Sequence, residues 1–361
     1  MTTNWTDILN DIANGCDLTP SQVAAAIRSI MVGEASAAKI ASFSYGIRVK
    51  GITPAELEAA ASTMLSFADP IELTDPAHNC PHTAVDIVGT GGDGKNTVNV
   101  STMAALLVAA MGVTVIKHGN RAASSRSGGA DMLEALGVPV TLSPADINRM
   151  IARHNFAFIF ARTYHPAMRH AASVRSDIQV PTLFNLLGPM TNPARPSTGL
   201  IGCAFPSMTA VMAEAFAHRG DSVLVVHGHD GLDEFSVSGP TDVFVTHGGV
   251  VDHHEFDPQC FGFSYFPVDA LRGGDALTNA RVARQLFSLD TSSEALPCNM
   301  NAVENAVLFS AAGALVAVNG VGTRTFHDAM QEELHRAQEA LYSAETRQRI
   351  HNLITDRPAF Q

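Results

Sequence analysis

The sequence predicts an α/β protein: a small all-helical N-terminal region, then a larger region whose mostly parallel central sheet is flanked by helices. Three observations predict it. Apolar residues recur at helical spacing through residues 1–70. A Pro-rich irregular stretch, DPIELTDPAHNCPH, follows at 69–82 and reads as a connector. Beyond it, short apolar runs alternate with helical segments, a βαβ order that calls for parallel strands covered by helices. At 361 residues the chain is long enough for two such parts.

The elements follow in order. LTPSQVAAAIRSIMVG starts at Thr19-Pro20 and stops at Gly33; ASAAKIASFSYGIRVKG repeats that logic, and TPAELEAAASTMLSFA opens on Thr53-Pro54 with Glu56 behind it. TAVDIV (83–88) reads as a buried strand, and STMAALLVAAMG (101–112) as a helix capped by Ser101 or Thr102. VTVI (113–116) is a second strand and ADMLEALG (130–137) a second helix, with FAFIF (156–160) and DSVLVVHG (221–228) as further strands. The C-terminal segments from Asn301 onward read as helices without visible chemistry. No internal repeat or low-complexity segment is visible.

Composition excludes several classes. A net charge of −12 argues against broad attraction to nucleic acid or anionic membrane. Cys16, Cys80, Cys203, Cys260 and Cys298 are odd in number and dispersed, as reduced thiols of a cytoplasmic protein would be. The acidic N-terminus lacks the positive charge of a secretory signal, and no uninterrupted apolar run approaches a membrane span.

Parallel strands end at one sheet edge, so the loops after 88, 116 and 228 are expected to meet there. They are also the loops that carry chemistry. GTGGDGKNTVNVST (89–102) contains Gly89-x-Gly91-x-x-Gly94, a literal dinucleotide fingerprint. Two features oppose that reading: Asn96–Val100 intervene before the helix, and the next strand ends in Lys117-His118 instead of an acid. A glycine-rich anion loop feeding a helix N-terminus fits better. KHGNRAASSRSGGAD (117–131) supplies Lys117, Arg121 and Arg126 as cations, Asn120 and three serines as neutral donors, and Gly128-Gly129 for close backbone approach. GHDGLDEFS (228–236) places Asp233 and Glu234 at a strand end, where they read either as an acidic turn or as a hard-metal site beside substrate phosphates. In TYHPAMRHAASVRSD (163–177), Tyr164, Met168 and Arg175 share a helical face; Arg175 reads as a carboxylate ligand or as part of a solvated stripe. His118 and His165 are, taken singly, structural histidines as readily as site residues. NLLGPMTNPA (185–194) is a rigid loop, a wall or a hinge.

The motifs GTGGDG…NVST, KHGNRAASS, HPAMRHAASVR, NLLGPMTNPA and GLDEFS, in this order, resemble the anthranilate phosphoribosyltransferases, over essentially the whole chain. The resemblance implies a helical domain at 1–75 with a contribution from 165–190, an α/β domain at 76–361, an active site at the hinge, and a homodimer paired through the helical domain. It implies transfer of ribose 5-phosphate from 5-phosphoribosyl 1-diphosphate (PRPP) to the amine of anthranilate, with Mg²⁺ as cofactor. Carried over by position, PRPP would meet Gly89, Gly92, Asp93, Thr97, Asn99, Val100, Ser101, Thr102, Lys117, His118, Gly119, Asn120, Arg121, Ala122, Ala123, Ser124, Ser125 and Gly129. Anthranilate would meet Gly89, Asn120, Arg175, His165 and Met168, with His118 lining the approach; the metal would meet Ser101, Asp233 and Glu234. Arg126 stands where Lys is more usual, Pro181 where Arg is common, and Met168 where some relatives carry an aromatic ring. With no amidotransferase segment ahead of residue 1, the enzyme is expected to act alone. A pyrimidine nucleoside phosphorylase shares the architecture but uses free phosphate, and phosphorolysis of thymidine or uridine would reveal it. A non-enzymatic nucleic-acid-binding relative is the other alternative, opposed by the charge and testable by a salt-dependent DNA shift.

Overall fold

A computed structural model describes residues 3–73, 84–122, 126–290, 292 and 295–356. Four N-terminal helices come first: α1 (Trp5–Ala13), α2 (Pro20–Met31), α3 (Ala37–Lys50) and α4 (Pro54–Leu65). Helices α2 and α4 start as read, each with a Thr capping box and Pro in the first turn. Glu56 does more than close its box. It is fully buried, accepts from Leu18 N at 2.7 Å and pairs with Lys50 Nζ at 2.9 Å, tying the start of α4 to the end of α3.

The sheet has seven strands in the order β3-β2-β1-β4-β5-β6-β7. The first five, β1 (Ala84–Gly89), β2 (Thr114–Gly119), β3 (Phe156–Phe160), β4 (Thr198–Gly202) and β5 (Ser222–Gly228), run parallel; β6 (Thr241–His247) and β7 (Val250–Phe256) add an antiparallel edge. The expectation that the loops after β1, β2 and β5 share one edge follows from this parallel block. Three strands, β4, β6 and β7, were not anticipated. Two boundaries also move. β2 runs on to Gly119, so Lys117 and His118 are strand residues and not loop residues. Helix α5 (Val100–Ala110) starts one residue early with Asn99, not Ser101 or Thr102, at its N-cap.

Helices α6 (Gly129–Leu136), α7 (Pro144–His154) and α8 (Ala161–Tyr164) complete the connections around β2 and β3. The 163–177 segment is broken: α8, then a 3₁₀ turn at Pro166–Met168, then α9 (Arg169–Ile178), followed by α10 (Leu183–Met190). Helix α11 (Pro206–His218) joins β4 to β5, and α12 (Ala276–Leu286), α13 (Met300–Asn319), α14 (Phe326–Tyr342) and α15 (Ala344–Thr355) close the chain. Helix α13 is long and apolar enough to cross a membrane by length and composition. Most of it is instead buried against α5, α14, β1, β4 and β5, the position of a core helix.

The core divides in two. One cluster gathers α5, α6, α7, α13 and α14 around the sheet. The other joins α1–α4 to Ala171 and Val174 of α9, to Leu183, Phe184 and Leu187 of α10, and to Met212 and Phe216 of α11. Helices α9 and α10, although late in sequence, pack with the N-terminal helices, and α10 brings Gly188 against β2.

Candidate active site

The three loops converge through backbone-to-carboxylate bonds. Asp233 Oδ2 accepts from Gly91 N at 2.7 Å, joining the third loop to the first. Glu234 Oε1 accepts from Ser101 N at 3.0 Å, so a carboxylate stands at the N-terminus of α5, where the helix dipole favours it. No side chain caps this helix from within: Asn99 turns its amide to Ser127 O at 3.1 Å and accepts from Asn279 Nδ2 at 2.8 Å. The first four amides of α5 are already engaged, Ser101 N by Glu234 and those of Val100, Thr102 and Met103 by the Val98 and Asn99 carbonyls, so the helix start offers an incoming anion its dipole and the Ser101 hydroxyl.

Several glycines are there because Asp233 passes close by. A Cβ on Gly89 would stand 2.2 Å from Asp233 Oδ2, and one on Gly202 would stand 1.7 Å from Asp233 O. Gly91, Gly92 and Gly94 adopt positive φ, which turns the first loop over the edge. Asp93 sits in this loop, accepts from Lys95 N at 3.1 Å, and has its carboxyl raised by burial. Gly129 borders Thr102 and Lys117 closely, which places the N-terminus of α6 beside the same cradle. Thr97 pairs with Arg272 in a short antiparallel bridge, and Val100 and Thr102 are buried.

Lys117 is the cation of the cradle. It is buried, donates from Nζ to Ile87 O, and lies 3.4 Å from Ser101 Oγ. Burial lowers its affinity for the proton, while Asp86, Glu234 and Asp233 raise it. Burial in turn lifts the Asp233 carboxyl to about 6, helped by repulsion from Asp93. Glu234 is also raised by burial, then by repulsion from Asp233. Ser310, from the apolar helix α13, donates to Glu234 Oε2 at 3.4 Å. That contact has no signature in the sequence. Asp230 belongs to the loop itself: it accepts from Leu232 N, Ser236 Oγ and Ser238 Oγ and holds the Asp233–Glu234 turn in place.

Two predicted cations are not in the cradle. Arg121 pairs with Asp131 at 3.0 Å and makes a fork with Glu134 at 2.5 and 2.7 Å, its guanidinium over the Phe160 ring. Asp131 and Glu134, three residues apart on one face of α6, outcompete the cradle for this side chain. Arg126 is exposed and lines a separate open cleft of about 720 Å³ with Arg272, Asp275 and Arg281. Asn120 is exposed just past β2, its Oδ1 accepting from Arg121 N at 2.8 Å, and Gly119 and Ala122 are half-buried beside it. Ala123, Ser124 and Ser125 lie outside the described residues.

On the opposite face of β2 stands His118. Its Nδ1 is 3.0 Å from Gly188 O, which fixes the proton there and leaves Nε2 as a buried acceptor without a partner among the described residues. Burial, then the neighbouring His165 ring at 5.3 Å, pushes its pKa down to about 3. His165 makes the parallel bond from Nε2 to Thr191 O at 2.8 Å and is also held neutral by burial. Met168 is half-buried at the start of α9. Tyr164 does not share its face: the phenol is buried in the α/β core and donates to Leu142 O, because the 3₁₀ turn breaks the helix between them. Arg175 is half-buried over the Phe184 ring at 5.7 Å. Among the described residues its guanidinium has neither a hydrogen bond nor an ion pair, and burial lowers its pKa. An arginine desolvated without a counter-ion suits an anionic ligand.

Metal capacity follows from the donor set. Among the described residues no three His, Cys, Asp or Glu side chains converge as a cage. Asp233, Glu234 and the Ser101 hydroxyl form an open, all-oxygen set, which suits Mg²⁺ completing its shell with waters and substrate phosphate. Asp93, Asp233 and Glu234 have their carboxyls raised, by burial first and by neighbouring carboxylates second, so their ionised forms are under-compensated and the residues present fit a divalent cation.

Comparison with known proteins bears on the family and the fold. The glycosyl transferase family helical bundle domain matches residues 6–68 and the family's a/b domain residues 81–347. An anthranilate phosphoribosyltransferase of Corynebacterium jeikeium is 49% identical over 97% of this chain and 92% of its own. The crystal structure of the Thermus thermophilus anthranilate phosphoribosyltransferase aligns at 36% identity and a TM-score of 0.83, covering 96% of this chain and 98% of that one. The Saccharomyces cerevisiae enzyme in complex with PRPP and Mg shares the fold at a TM-score of 0.82 and 24% identity, with 98% of each chain covered.

Proposed function

This chain belongs to the anthranilate phosphoribosyltransferase family, and we propose that the sheet edge described above is where it carries out the family's reaction. The protein transfers the 5-phosphoribosyl group of PRPP to the amino group of anthranilate, releasing diphosphate, a step of L-tryptophan biosynthesis. The observation that carries the assignment to this edge is the pair of bonds from Asp233 to Gly91 N and from Glu234 to Ser101 N, which makes one cradle of three loops.

The donor occupies the cradle. Gly89, Gly92, Asp93 and Thr97 surround it from the first loop, Asn99 to Thr102 from the start of α5, and Lys117, Gly119, Asn120 and Ala122 with Gly129 from the second, while Arg121 stays with Asp131 and Glu134. The N-terminal dipole of α5 and the Lys117 ammonium hold phosphate oxygens, and Asp93 accepts from a hydroxyl or a metal-bound water. Ser101, Asp233 and Glu234 would hold Mg²⁺, which when bound neutralises charge on the departing diphosphate. As the anomeric C–O bond breaks, its electron pair leaves on diphosphate; the cradle's fixed dipoles are already aimed at that charge.

Anthranilate enters from the α10 side. Arg175 takes its carboxylate, while Asn120 orients it against the donor next to Gly89. His118, His165 and Met168 line the way in, both imidazoles neutral and therefore not repelled by Arg175. The aryl amine is neutral at pH 7, so its lone pair forms the new N–C bond without a dedicated base, and its proton leaves to water. We further place the protein in the cytoplasm as a homodimer paired through the helical lobe, where Val32, Tyr45 and Val49 are exposed at 48%, 53% and 70%. Loss of anthranilate fluorescence on adding PRPP and Mg²⁺ tests the activity; folded protein that leaves the fluorescence unchanged would overturn it.

A further inference from the structure

Strands β1 and β2 begin as ordinary parallel neighbours, with Ala84 opposite Thr114 and Val85 opposite Val115. Their common register ends there, although β1 continues to Gly89 and β2 to Gly119. Each stays paired on its other side, β1 with β4 as far as Gly89–Gly202 and β2 with β3 as far as Gly119–Phe160. The ladder between these two inner strands is therefore interrupted at the edge that carries the site, although the strands stay side by side.

Polar side chains fill the interruption. Val115 N bonds toward β3, so alternation turns Ile116 and His118 toward β1. Ile116 N still falls within the Val85–Val115 register, but Ile116 O and His118 N find no strand partner. Asn192 Nδ2 donates to Ile116 O at 2.8 Å, and Asp86 Oδ1 accepts from His118 N at 3.0 Å. The two side chains also bond each other, Asn192 Nδ2 to Asp86 Oδ2 at 2.9 Å. On the β1 side, the Lys117 ammonium takes Ile87 O. Asp86 and Asn192 are 3% and 5% exposed, and Asn192 arrives from the rigid loop after α10, its Oδ1 accepting from Ala194 N at 3.0 Å. Side chains thus replace the ladder bonds that would otherwise join the strands.

We propose that Asp86 and Asn192 are positioning residues for the transfer: a buried wedge that takes the place of ladder bonds between β1 and β2, so that Lys117 has a slot toward the donor and His118 a fixed seat on the acceptor side. The inference rests on the assignment of Lys117 to PRPP. An apolar pair in these places would leave Ile116 O and His118 N unpaired in the interior, and closing the ladder would satisfy them at the expense of the slot.

Asp86→Asn tests it, because it sets two amide NH₂ groups face to face while conserving volume. PRPP KM is expected to rise at least tenfold, measured well below the variant's Tm. Adding Asn192→Asp to it restores an amide–carboxylate bond with reversed polarity and should recover at least threefold of that loss, even though Ile116 O stays unpaired. Should Asp86→Asn not fold, Asn192→Ala, which empties the wedge from the loop side, carries the same KM expectation. A lowered Tm with PRPP KM within twofold of wild type would show an ordinary buried pair and overturn the wedge. Lys117→Gln run beside them separates the levels. If it raises PRPP KM and Asp86→Asn does not, the wedge alone fails; if it leaves PRPP KM unchanged, the donor assignment falls and takes the wedge with it.

Discussion

Replacing Arg175 by Met probes the acceptor half of the site with two readouts that move differently. The side chain packs its stem by Phe184 and holds its guanidinium 5.7 Å from that ring, with no hydrogen-bond or ion-pair partner among the described residues. Burial of this cation is unfavourable in the empty protein, which is why its pKa is lowered. A carboxylate arriving there gains charge-assisted hydrogen bonds worth about 1.5–3 kcal/mol. Their loss corresponds to roughly a 10- to 150-fold rise in anthranilate KM, since about 1.4 kcal/mol is a factor of ten. Met conserves the packing of the stem and removes the desolvated charge, at the loss of about 0.5–1 kcal/mol of cation–π attraction. Folding stability should then stay within about 1 kcal/mol of wild type. Initial rates from anthranilate fluorescence, at saturating PRPP and then at saturating anthranilate, give the two KM values, and thermal unfolding gives the stability. PRPP KM should remain within about twofold. An anthranilate KM that moves less than about threefold, in a variant with a native Tm, would refute the reasoning, because a bidentate carboxylate contact cannot be that weak.

Three further perturbations follow from the same geometry. Gly202→Ala puts a Cβ 1.7 Å from Asp233 O, so the Asp233–Glu234 turn must move by more than 1 Å; kcat should fall about 100-fold or more while circular dichroism stays native, given what such displacements do to reacting groups. Ser310→Ala removes the donor to Glu234 Oε2; a neutral-to-charged bond of this length supports only a few-fold rise in the Mg²⁺ concentration giving half-maximal rate, about 1 kcal/mol. His118 is held far below its unfolded pKa, down to about 3. Its contribution to stability is therefore complete above pH 6.5 and is lost as pH falls from there toward 3, at up to about 1.4 kcal/mol per unit. Urea unfolding across that window should be less pH-dependent in His118→Asn than in wild type, and equal slopes would contradict the buried, neutral assignment.

Much of this was legible because loops with unusual demands show them in composition. Four glycines around Asp93 announce a backbone that must turn and approach closely, and Lys117 at a strand end announces an anion. What stayed hidden has physical reasons. β4 has five residues with glycines at 199 and 202, a pattern that reads as a turn; the Gly202 position is vacant of side chain only because Asp233 crosses it. β6 (TDVFVTH) and β7 (VVDHHEF) mix polar and apolar residues without a clean period of two, as a loop-rich surface does. Arg121 looked free because its partners, Asp131 and Glu134, start immediately after the basic stretch, in the helix it leads into. Ser310 sits in a run of Ala, Val and Leu that reads as core, and Asp86 in a strand otherwise fully apolar. A lone polar residue inside an apolar element is a weak signal for chemistry, yet both of these turned out to hold a site residue in place.

The extension of β2 by three residues beyond the sequence expectation has a consequence for how the two substrates are kept apart. Side chains alternate along a strand, so adjacent Lys117 and His118 must face opposite sides of the sheet. Lys117 reaches Ser101 at the start of α5, and His118 reaches Gly188 on α10, which packs with the helical lobe. Had the strand ended at Ile116, both residues would belong to a loop and nothing would fix that opposition. On the assignment proposed above, the polyanionic donor would meet the charged face and the aromatic acceptor the face of neutral imidazoles, with Asn120, the first residue past the strand, where the faces meet. A one-residue insertion between Lys117 and His118 would turn both toward the same side; such a variant should bind neither substrate well, whereas an insertion after Asn120 should weaken PRPP far more than anthranilate.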